Sequence, residues 1–254
     1  MKHVGILAHS AEGATLSYRS VWMEGVRRLG AHRHPEITLS GTAMDGQLAD
    51  YDRDLGAVRA AFVRQAGKLA AAGADFFIVP DNTAHIPLEL PGEDFPIPAL
   101  HIGEVVAECA LAQGFRRIGI LGTDWTMTGP VYPCALGRRG LAWEIPGEAD
   151  RALIHRTIFE ELCLGTFTDS ARAAFVAIVG RLAARGCDAV ALVCTEIPLL
   201  VRPGDSPLPI LDSTRLQAAA AVEVALGLSP MPAWRGGPVA GPLADDAIRA
   251  TLER

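Results

Sequence analysis

Short runs of apolar residues alternate along the chain with longer segments in which apolar residues recur every three or four positions. Short apolar runs are typical of buried parallel strands, and the three-to-four spacing is typical of amphipathic helices. The alternation therefore predicts βα units and an α/β fold. The predicted strands are residues 4–7, 37–39, 76–79, 99–102, 117–121, 152–155, 189–193 and 208–211. The predicted helices are residues 15–29, 55–72, 103–112, 169–185 and 216–226, with a short helix near 245–252.

The second half of the chain repeats the plan of the first half without repeating its sequence. In each half a helix stops at a glycine, a small acidic turn follows, and an apolar strand leads into a polar loop. This repetition predicts two duplicated α/β domains. The predicted first domain is residues 1–103 plus 208–254, and the predicted second domain is residues 104–207.

Two predicted strands end in polar loops that open helices. The first loop, residues 81–85, reads Asp-Asn-Thr-Ala-His, and the second, residues 194–196, reads Cys-Thr-Glu. Ligands of open parallel sheets bind at the carboxyl ends of strands, and the free N–H groups at a helix start attract anions. Each loop is therefore a candidate site with an acid/base side chain. Two such sites facing each other can act on opposite sides of one small carbon acid.

Composition excludes several classes of partner. The net charge is −6 and the basic residues are scattered, so no basic stripe is present to hold nucleic acid. No apolar stretch is long enough to cross a membrane or to serve as a signal segment, which predicts a cytoplasmic protein. The five cysteines lack the Cys-x-x-Cys spacing of zinc or redox sites. We expect reduced cysteines and no metal.

Five short motifs occur in order and together resemble the aspartate/glutamate racemase family. They are residues 71–75, 81–85, 122–127, 160–165 and 194–197, and the likeness runs from residue 4 to about residue 226. The resemblance implies an enzyme that needs neither pyridoxal phosphate nor any other cofactor. It also implies two pseudo-symmetric Rossmann-like domains with parallel sheets, an active site in the cleft between them, and a homodimer.

The resemblance also implies roles for individual residues. One cysteine from each domain flanks the substrate α-carbon in this family, and Cys194 matches the second of them. Three residues match those that hold the substrate carboxylate, and two match residues that line the cleft. The carboxylate-binding positions are Asn82, Thr83 and Thr195, and the cleft-lining positions are Thr123 and Thr126.

Three departures from the family pattern bear on the chemistry. Asp81 stands in place of the first cysteine, and a carboxyl group with a pKa near 3.9 is a much weaker base than a thiol near 8.5. The swap costs base strength unless burial raises the pKa of Asp81. Thr168 replaces a lysine that holds the distal carboxylate of acidic substrates, so the substrate need not be acidic. His9 and Glu12 replace a glycine-rich turn, and His9 can place a new polar group in the cleft.

Each candidate also has a purely structural interpretation. Asp81 can cap a helix, and Cys194 can be a buried structural cysteine. In a cleft role, Asp81 can act as a base or bind the substrate ammonium group. Asn82 and Thr83 can satisfy turn backbone, and His85 is more simply a packed helix histidine. In the same way His101 reads as a packed strand-end residue, and Glu196 as a charge in the first turn of its helix.

The sequence predicts a cofactor-independent racemase or epimerase that moves the α-proton of an amino acid or a related α-substituted carboxylic acid. Asp81 and Cys194 form the predicted acid/base pair, and a helix N-terminus is expected to lower the pKa of Cys194. One alternative is a decarboxylase similar to arylmalonate decarboxylase, with Cys194 as the proton donor. The other is a catalytically silent protein that binds a small acid.

Overall fold

The structure is a computed structural model that describes residues 1–43, 50–51 and 53–239. Within these ranges, parallel strands alternate with helices. The strands are β1 (Val4–Ala8), β2 (Ile37–Gly41), β3 (Phe76–Ile78), β4 (Ala99–Leu100), β5 (Arg117–Gly122), β6 (Ala142–Glu144), β7 (Ala189–Val193) and β8 (Ile210–Asp212). The helices are α1 (Ala11–Leu29), α2 (Leu55–Ala71), α3 (His85–Leu88), α4 (Ile102–Ala112), α5 (Asp124–Thr128), α6 (Val131–Gly137), α7 (Glu148–Glu160), α8 (Asp169–Ala184), α9 (Ile197–Leu200) and α10 (Ser213–Ala225), with a 3₁₀ turn at Leu162–Leu164.

The strands form two four-stranded parallel sheets, which confirms the predicted α/β fold. The first sheet has the order β2-β1-β3-β4 and the second has the order β6-β5-β7-β8. The chain divides into two compact units, each built on one sheet. The first unit is Met1–Ile102 with the segment that begins at Thr214, and the second contains Gly103–Ser213. Both sheets therefore use the same order of strands.

The inner strands of the two sheets are buried, which explains why the sequence predicted them. β1, β3 and β7 are buried along their whole length. Strands covered on both faces read as continuous apolar runs, which is the pattern that predicted them. In the first sheet Val4 lies opposite Phe76, and in the second Gly122 lies opposite Val193. The loops after β3 and β7 are therefore fixed by the central pairs of their sheets.

Side-chain caps set the starts of three long helices. The side chain of Ser10 accepts a hydrogen bond from the Gly13 N–H at 3.2 Å, so α1 begins four residues earlier than predicted. Asp54 caps α2 and Thr168 caps α8 in the same way. Such caps satisfy one of the N–H groups that a helix start leaves without an intrahelical partner. No helix in the described ranges is long and apolar enough to span a bilayer.

The predicted strand at residues 152–155 is wrong, because this segment lies inside α7. The buried residues of α7 are Ile154, Thr157 and Ile158, which recur at helical spacing. The strand that pairs with β5 at one edge of the second sheet is β6. It is short and partly exposed, so it lacks the continuous apolar run of an inner strand.

The border between the two units differs from the one that the sequence suggests. β8 pairs in parallel with β7, with Ile210 opposite Val190. The second unit therefore continues to Ser213, whereas the sequence places its end at residue 207. The helix that the sequence predicts near residues 245–252 lies outside the described residues.

Gly122 allows β5 and β7 to approach closely beside the second polar loop. A Cβ at this position would lie 2.7 Å from Val193 Cγ2 and 2.8 Å from the Val193 carbonyl oxygen.

We expect Gly122→Ala to lower the free energy of unfolding by about 1 to 3 kcal/mol through overpacking. Gly67→Ala in α2 is the control, because a Cβ there meets nothing within 4 Å. It should raise stability by up to about 1 kcal/mol, since alanine favours a helix interior. Urea unfolding of both variants checks the pair, and equal stabilities would contradict the close approach.

Candidate active site

The loop after β3 places the carboxylate of Asp81 in a tight turn. Asp81 Oδ1 accepts a hydrogen bond from the Ala84 N–H at 3.2 Å, and the Asp81 carbonyl accepts one from His85 Nδ1 at 2.9 Å. Asp81 therefore has part of the structural role that the sequence suggests, because its side chain accepts a hydrogen bond from a backbone N–H group of the turn. That contact occupies one carboxylate oxygen and leaves the second oxygen, Oδ2, for another partner.

His9 is that partner. It follows β1, which lies beside β3 in the first sheet, and its Nδ1 makes a close hydrogen bond and ion-pair contact with Asp81 Oδ2. The side chain of His9 is 3% exposed and that of Asp81 is 23% exposed. The His9 ring also packs edge-on against Phe62, with ring centroids 5.6 Å apart. His9 and Asp81, which the sequence identifies as two separate departures from the family pattern, are thus in direct contact.

This contact decides the charge of Asp81. Burial by itself would raise the pKa of the carboxyl group, but the charge of His9, the hydrogen bond from His9 and the Ala84 N–H outweigh burial. The net result is a pKa of Asp81 below its ordinary value. A pKa raised by burial, which is the condition under which Asp81 would regain base strength, is therefore not found. Asp81 is an ionised carboxylate at neutral pH.

His85 is a packed, neutral histidine. Because a carbonyl only accepts, its Nδ1 carries the proton donated to Asp81, and its Nε2 accepts the Ile102 N–H at 3.2 Å. Burial, followed by the charge of His101, lowers the pKa of His85 to about 3. The ring stacks on Trp234 at a centroid distance of 5.7 Å. This agrees with the structural interpretation of His85 given by the sequence.

The two residues after Asp81 are buried in the same turn. The carbonyl of Asn82 accepts the His85 N–H at 3.2 Å, and the carbonyl of Thr83 accepts the Ile86 N–H at 3.0 Å. Both residues therefore help to form the turn backbone. Their role in substrate binding stays a prediction.

The loop after β7 pairs a thiol with a buried carboxylate. The Cys194 thiol donates a hydrogen bond to Glu196 Oε2 at 3.0 Å, and the Thr195 hydroxyl donates to the same oxygen at 2.9 Å. All three residues are buried. Glu196 was expected to charge the first turn of its helix, but its side chain makes no capping bond there. The sequence missed this contact because it shows the neighbouring residues and not the direction of the Glu196 side chain.

The thiol of Cys194 is held in its protonated form. Burial raises the pKa of Cys194 well above its ordinary value, and the charge and hydrogen bond of Glu196 raise it further. The expectation that a helix N-terminus lowers this pKa is wrong. The following helix, α9, has only four residues, and the nearest charge is negative. At neutral pH this side chain is a proton donor rather than a thiolate.

Two threonines lie at the end of the neighbouring strand in the second sheet. Thr123 follows β5 and accepts the Thr126 N–H at 3.2 Å, and the two hydroxyl oxygens are 3.0 Å apart. Both residues are buried. β5 pairs with β7, so Thr123 and Cys194 follow adjacent strands at the same edge of the second sheet. The structure thus places each predicted site residue at the carboxyl edge of the sheet in its own unit.

Thr168 caps α8 and also faces an acid. Its hydroxyl accepts the Ala171 N–H at 3.1 Å and lies 3.3 Å from Glu161 Oε2, to which it donates. Thr168 is thus a helix cap beside a carboxylate. Within the residues that the structure describes, no three His, Cys, Asp or Glu side chains are grouped to hold a metal ion.

Comparison with known proteins gives a family match and a set of similar structures. The family model for Asp/Glu/hydantoin racemases matches residues 9–221. A candidate Asp/Glu racemase from Yersinia pestis is 28% identical, with a TM-score of 0.76 over 89% of this chain and 100% of the other. An aspartate racemase homologue from Pyrococcus horikoshii is 26% identical, with a TM-score of 0.71 over 89% of this chain and 100% of the other. The Picrophilus torridus aspartate racemase shares the fold at 21% identity, with a TM-score of 0.73 over 89% of this chain and 94% of the other.

The low pKa of His85 makes stability depend on pH. Between about pH 3 and 6.5 the unfolded chain binds more protons at His85 than the folded chain does. The contribution of the neutral His85 to the free energy of unfolding is fully present above pH 6.5. It is lost as the pH falls, by at most about 1.4 kcal/mol per pH unit. We expect His85→Gln to reduce the slope of unfolding free energy against pH by about one proton near pH 5. Urea unfolding at several pH values checks this, with the exposed His32→Asn as the control. An unchanged slope in His85→Gln would contradict a neutral buried His85.

The carboxylate of Glu196 raises the pKa of Cys194, so its removal should make the thiol more acidic. We expect Glu196→Gln to increase the alkylation rate of Cys194 by iodoacetamide at pH 8 about tenfold, since a neighbouring charge shifts a pKa by about one unit or more. Peptide mass spectrometry separates Cys194 from the other cysteines. Glu148→Gln, at an exposed position in α7, should leave the rate unchanged. A slower or equal rate in Glu196→Gln would show that Glu196 does not control the thiol.

Proposed function

Since the chain belongs to the Asp/Glu/hydantoin racemase family, we propose that it is a cofactor-independent isomerase that moves the α-proton of an amino acid or a related α-substituted carboxylic acid. The family match and the racemase fold support an isomerase of the racemase type. One observation carries the finer proposal. In both sheets the third strand in the sheet order ends in a loop with an acid/base side chain, Asp81 after β3 and Cys194 after β7.

The protonation states of the two loops support a reaction in which one group takes a proton and the other gives one. Asp81 is ionised beside His9, so the first loop can accept a proton. Cys194 is held as a thiol, so the second loop can donate a proton. Removal of the α-proton on one face and delivery on the opposite face inverts the configuration of the carbon. The reverse reaction uses the same groups with their roles exchanged.

Binding of the substrate carboxylate is proposed for the polar residues beside these groups. Asn82 and Thr83 lie next to Asp81 in the first loop, and Thr195 lies next to Cys194 in the second. Their side chains and the N–H groups of the turns are donors that stabilise the negative charge developing on the substrate carboxylate when the α-proton leaves. Thr123 and Thr126 are proposed to line the second side of the site. His9 acts with Asp81 on the first side.

The substrate side chain is proposed to be uncharged. Thr168 occupies the position at which acidic-substrate members carry a lysine, and it contacts the carboxylate of Glu161. A hydroxyl group supplies one hydrogen bond but no compensating positive charge. A second carboxylate on the substrate would therefore be repelled rather than held at this position.

A decarboxylase is the second candidate, and the protonated thiol of Cys194 favours it. Loss of carbon dioxide creates the carbanion directly, so a single proton donor completes that reaction. The ionised Asp81 weighs against it, because a negative carboxylate disfavours the second carboxylate of a malonate substrate. We therefore rank isomerisation first.

Deuterium incorporation tests the proposal. Wild-type protein in deuterium oxide should introduce α-deuterium into at least one member of an amino-acid panel that covers apolar, polar and acidic side chains. Mass spectrometry and chiral chromatography measure exchange and inversion together. We expect Cys194→Ala to lower the inversion rate by at least about a hundredfold, because one of the two acid/base groups is lost. Cys109→Ala in α4 is the matched cysteine control and should retain the wild-type rate.

Three other results would contradict the isomerase proposal. Absence of α-deuterium in every amino acid and α-substituted acid of the panel would contradict the proposed isomerase activity. Carbon dioxide release from malonates without amino-acid exchange would establish the decarboxylase instead. Tight binding of a small acid without turnover, with the same affinity in Cys194→Ala, would identify a binding protein.

A further inference from the structure

Asp81 alone is a poor base for an α-proton. A carboxyl group has an ordinary pKa of about 3.9, against about 8.5 for the thiol that the family resemblance places at this position. The contact with His9 lowers the pKa of Asp81 further rather than raising it. Transfer of a proton from carbon to a group with so low a pKa is unfavourable, because the proton returns to the carbon far faster than it leaves. The first unit therefore needs a stronger base than its carboxylate.

The geometry of the pair identifies that base. His9 Nδ1 faces Asp81 Oδ2, and an ionised carboxylate only accepts hydrogen bonds. Nδ1 therefore carries a proton whether the ring is charged or neutral, and in the neutral ring the lone pair lies on Nε2. The Ala84 N–H holds the other oxygen of Asp81, so the carboxylate is fixed from two sides. The edge-on contact with Phe62 restrains the imidazole ring from a third direction.

We propose that His9 is the catalytic base of the first unit, that its Nε2 takes the α-proton, and that Asp81 is the positioning residue which fixes its tautomer. The proposal rests on the isomerase function proposed above and names the atom that performs one half of it. A histidine and a carboxylate thereby replace a single thiol.

Base strength and burial both support this assignment. Imidazole has an ordinary pKa of about 6.5, and an adjacent carboxylate favours its protonated form. By these ordinary pKa values an imidazole is a stronger base than a carboxylate and a weaker base than a thiolate. The His9 side chain is 3% exposed, so bulk water has little access to its imidazole.

The reaction step balances without a co-reactant. The bond from the α-carbon to hydrogen breaks, its electron pair stays on the substrate as an enediolate, and the proton moves to His9 Nε2. The resulting imidazolium is held by Asp81. The Sγ–H bond of Cys194 then breaks as its proton adds to the opposite face of the carbon, leaving a thiolate. Water returns a proton to Cys194 and removes one from His9, which restores the starting state.

Two titratable groups that interact with Asp81 keep their charge near neutral pH. Asp81 acts electrostatically on Tyr51, and His85 acts on Asp81. Burial and the charge of Asp81 raise the pKa of Tyr51 well above its ordinary value, so Tyr51 stays protonated. His85, which is flanked by His101, stays neutral because its pKa is about 3. Neither Tyr51 nor His85 therefore gains or loses a proton near neutral pH.

Half-reactions of the single enantiomers test the assignment. In Cys194→Ala only the base of the first unit remains, so one enantiomer should exchange its α-proton with deuterium oxide without inverting, and its mirror image should not exchange. Adding His9→Asn should lower that exchange by at least about a hundredfold. Asparagine keeps a donor for Asp81 but cannot titrate. His32→Asn in the same background is the matched control and should have no effect, because His32 is exposed at a positive φ that asparagine tolerates.

Nitrogen NMR of the folded wild-type protein gives a readout that does not depend on the variants' activity. The imidazole of His9 should show the neutral Nδ1–H tautomer at high pH, and Asp81→Asn should change this signature. Exchange in the His9→Asn, Cys194→Ala double variant within about threefold of Cys194→Ala, or an Nε2–H tautomer of His9, would overturn the assignment while leaving the isomerase function intact. Absence of exchange in the wild-type protein would overturn both.

Discussion

The pairing of the Asp81 carboxylate with His9 is the interaction on which the first half of the candidate site depends. A buried carboxylate is costly unless charged or hydrogen-bonding partners compensate for the lost water. β1 and β3 are neighbours in the sheet, so the residues after them meet, and His9 and the Ala84 N–H supply those partners. The same pairing that stabilises the ionised carboxylate also weakens it as a base. Proton transfer on this side is therefore assigned to the imidazole.

The two units share an order of strands but hold their acid/base groups in opposite protonation states. In the second unit a carboxylate again contacts the reactive side chain, but there the partner is a thiol. Glu196 and burial keep Cys194 protonated, whereas His9 keeps Asp81 ionised. A donor in one unit and an acceptor in the other are what a transfer of the α-proton in one direction requires. The chemical difference between the two loops thus suits them to complementary roles.

The sequence predicted most of the fold and the location of both loops, because buried inner strands leave continuous apolar runs and end in polar turns. It missed β6, a short, partly exposed edge strand, and placed a strand inside α7 instead. The pKa values of Asp81 and Cys194 could not be predicted, since they depend on tertiary contacts. His9 and Asp81 are 72 positions apart, and no local pattern shows that they touch. The direction of the Glu196 side chain is likewise invisible in the order of residues.

The pH dependence of α-proton exchange by Cys194→Ala, measured with the enantiomer that this variant still accepts, tests the central claim most directly. A base must be unprotonated to act, so its rate falls as the pH falls through its pKa. With an imidazole as the base, the exchange rate should decline as the pH falls through the ordinary range of imidazole, about pH 6 to 7. A rate that stays constant down to about pH 4 would identify the Asp81 carboxylate as the base and would contradict the account.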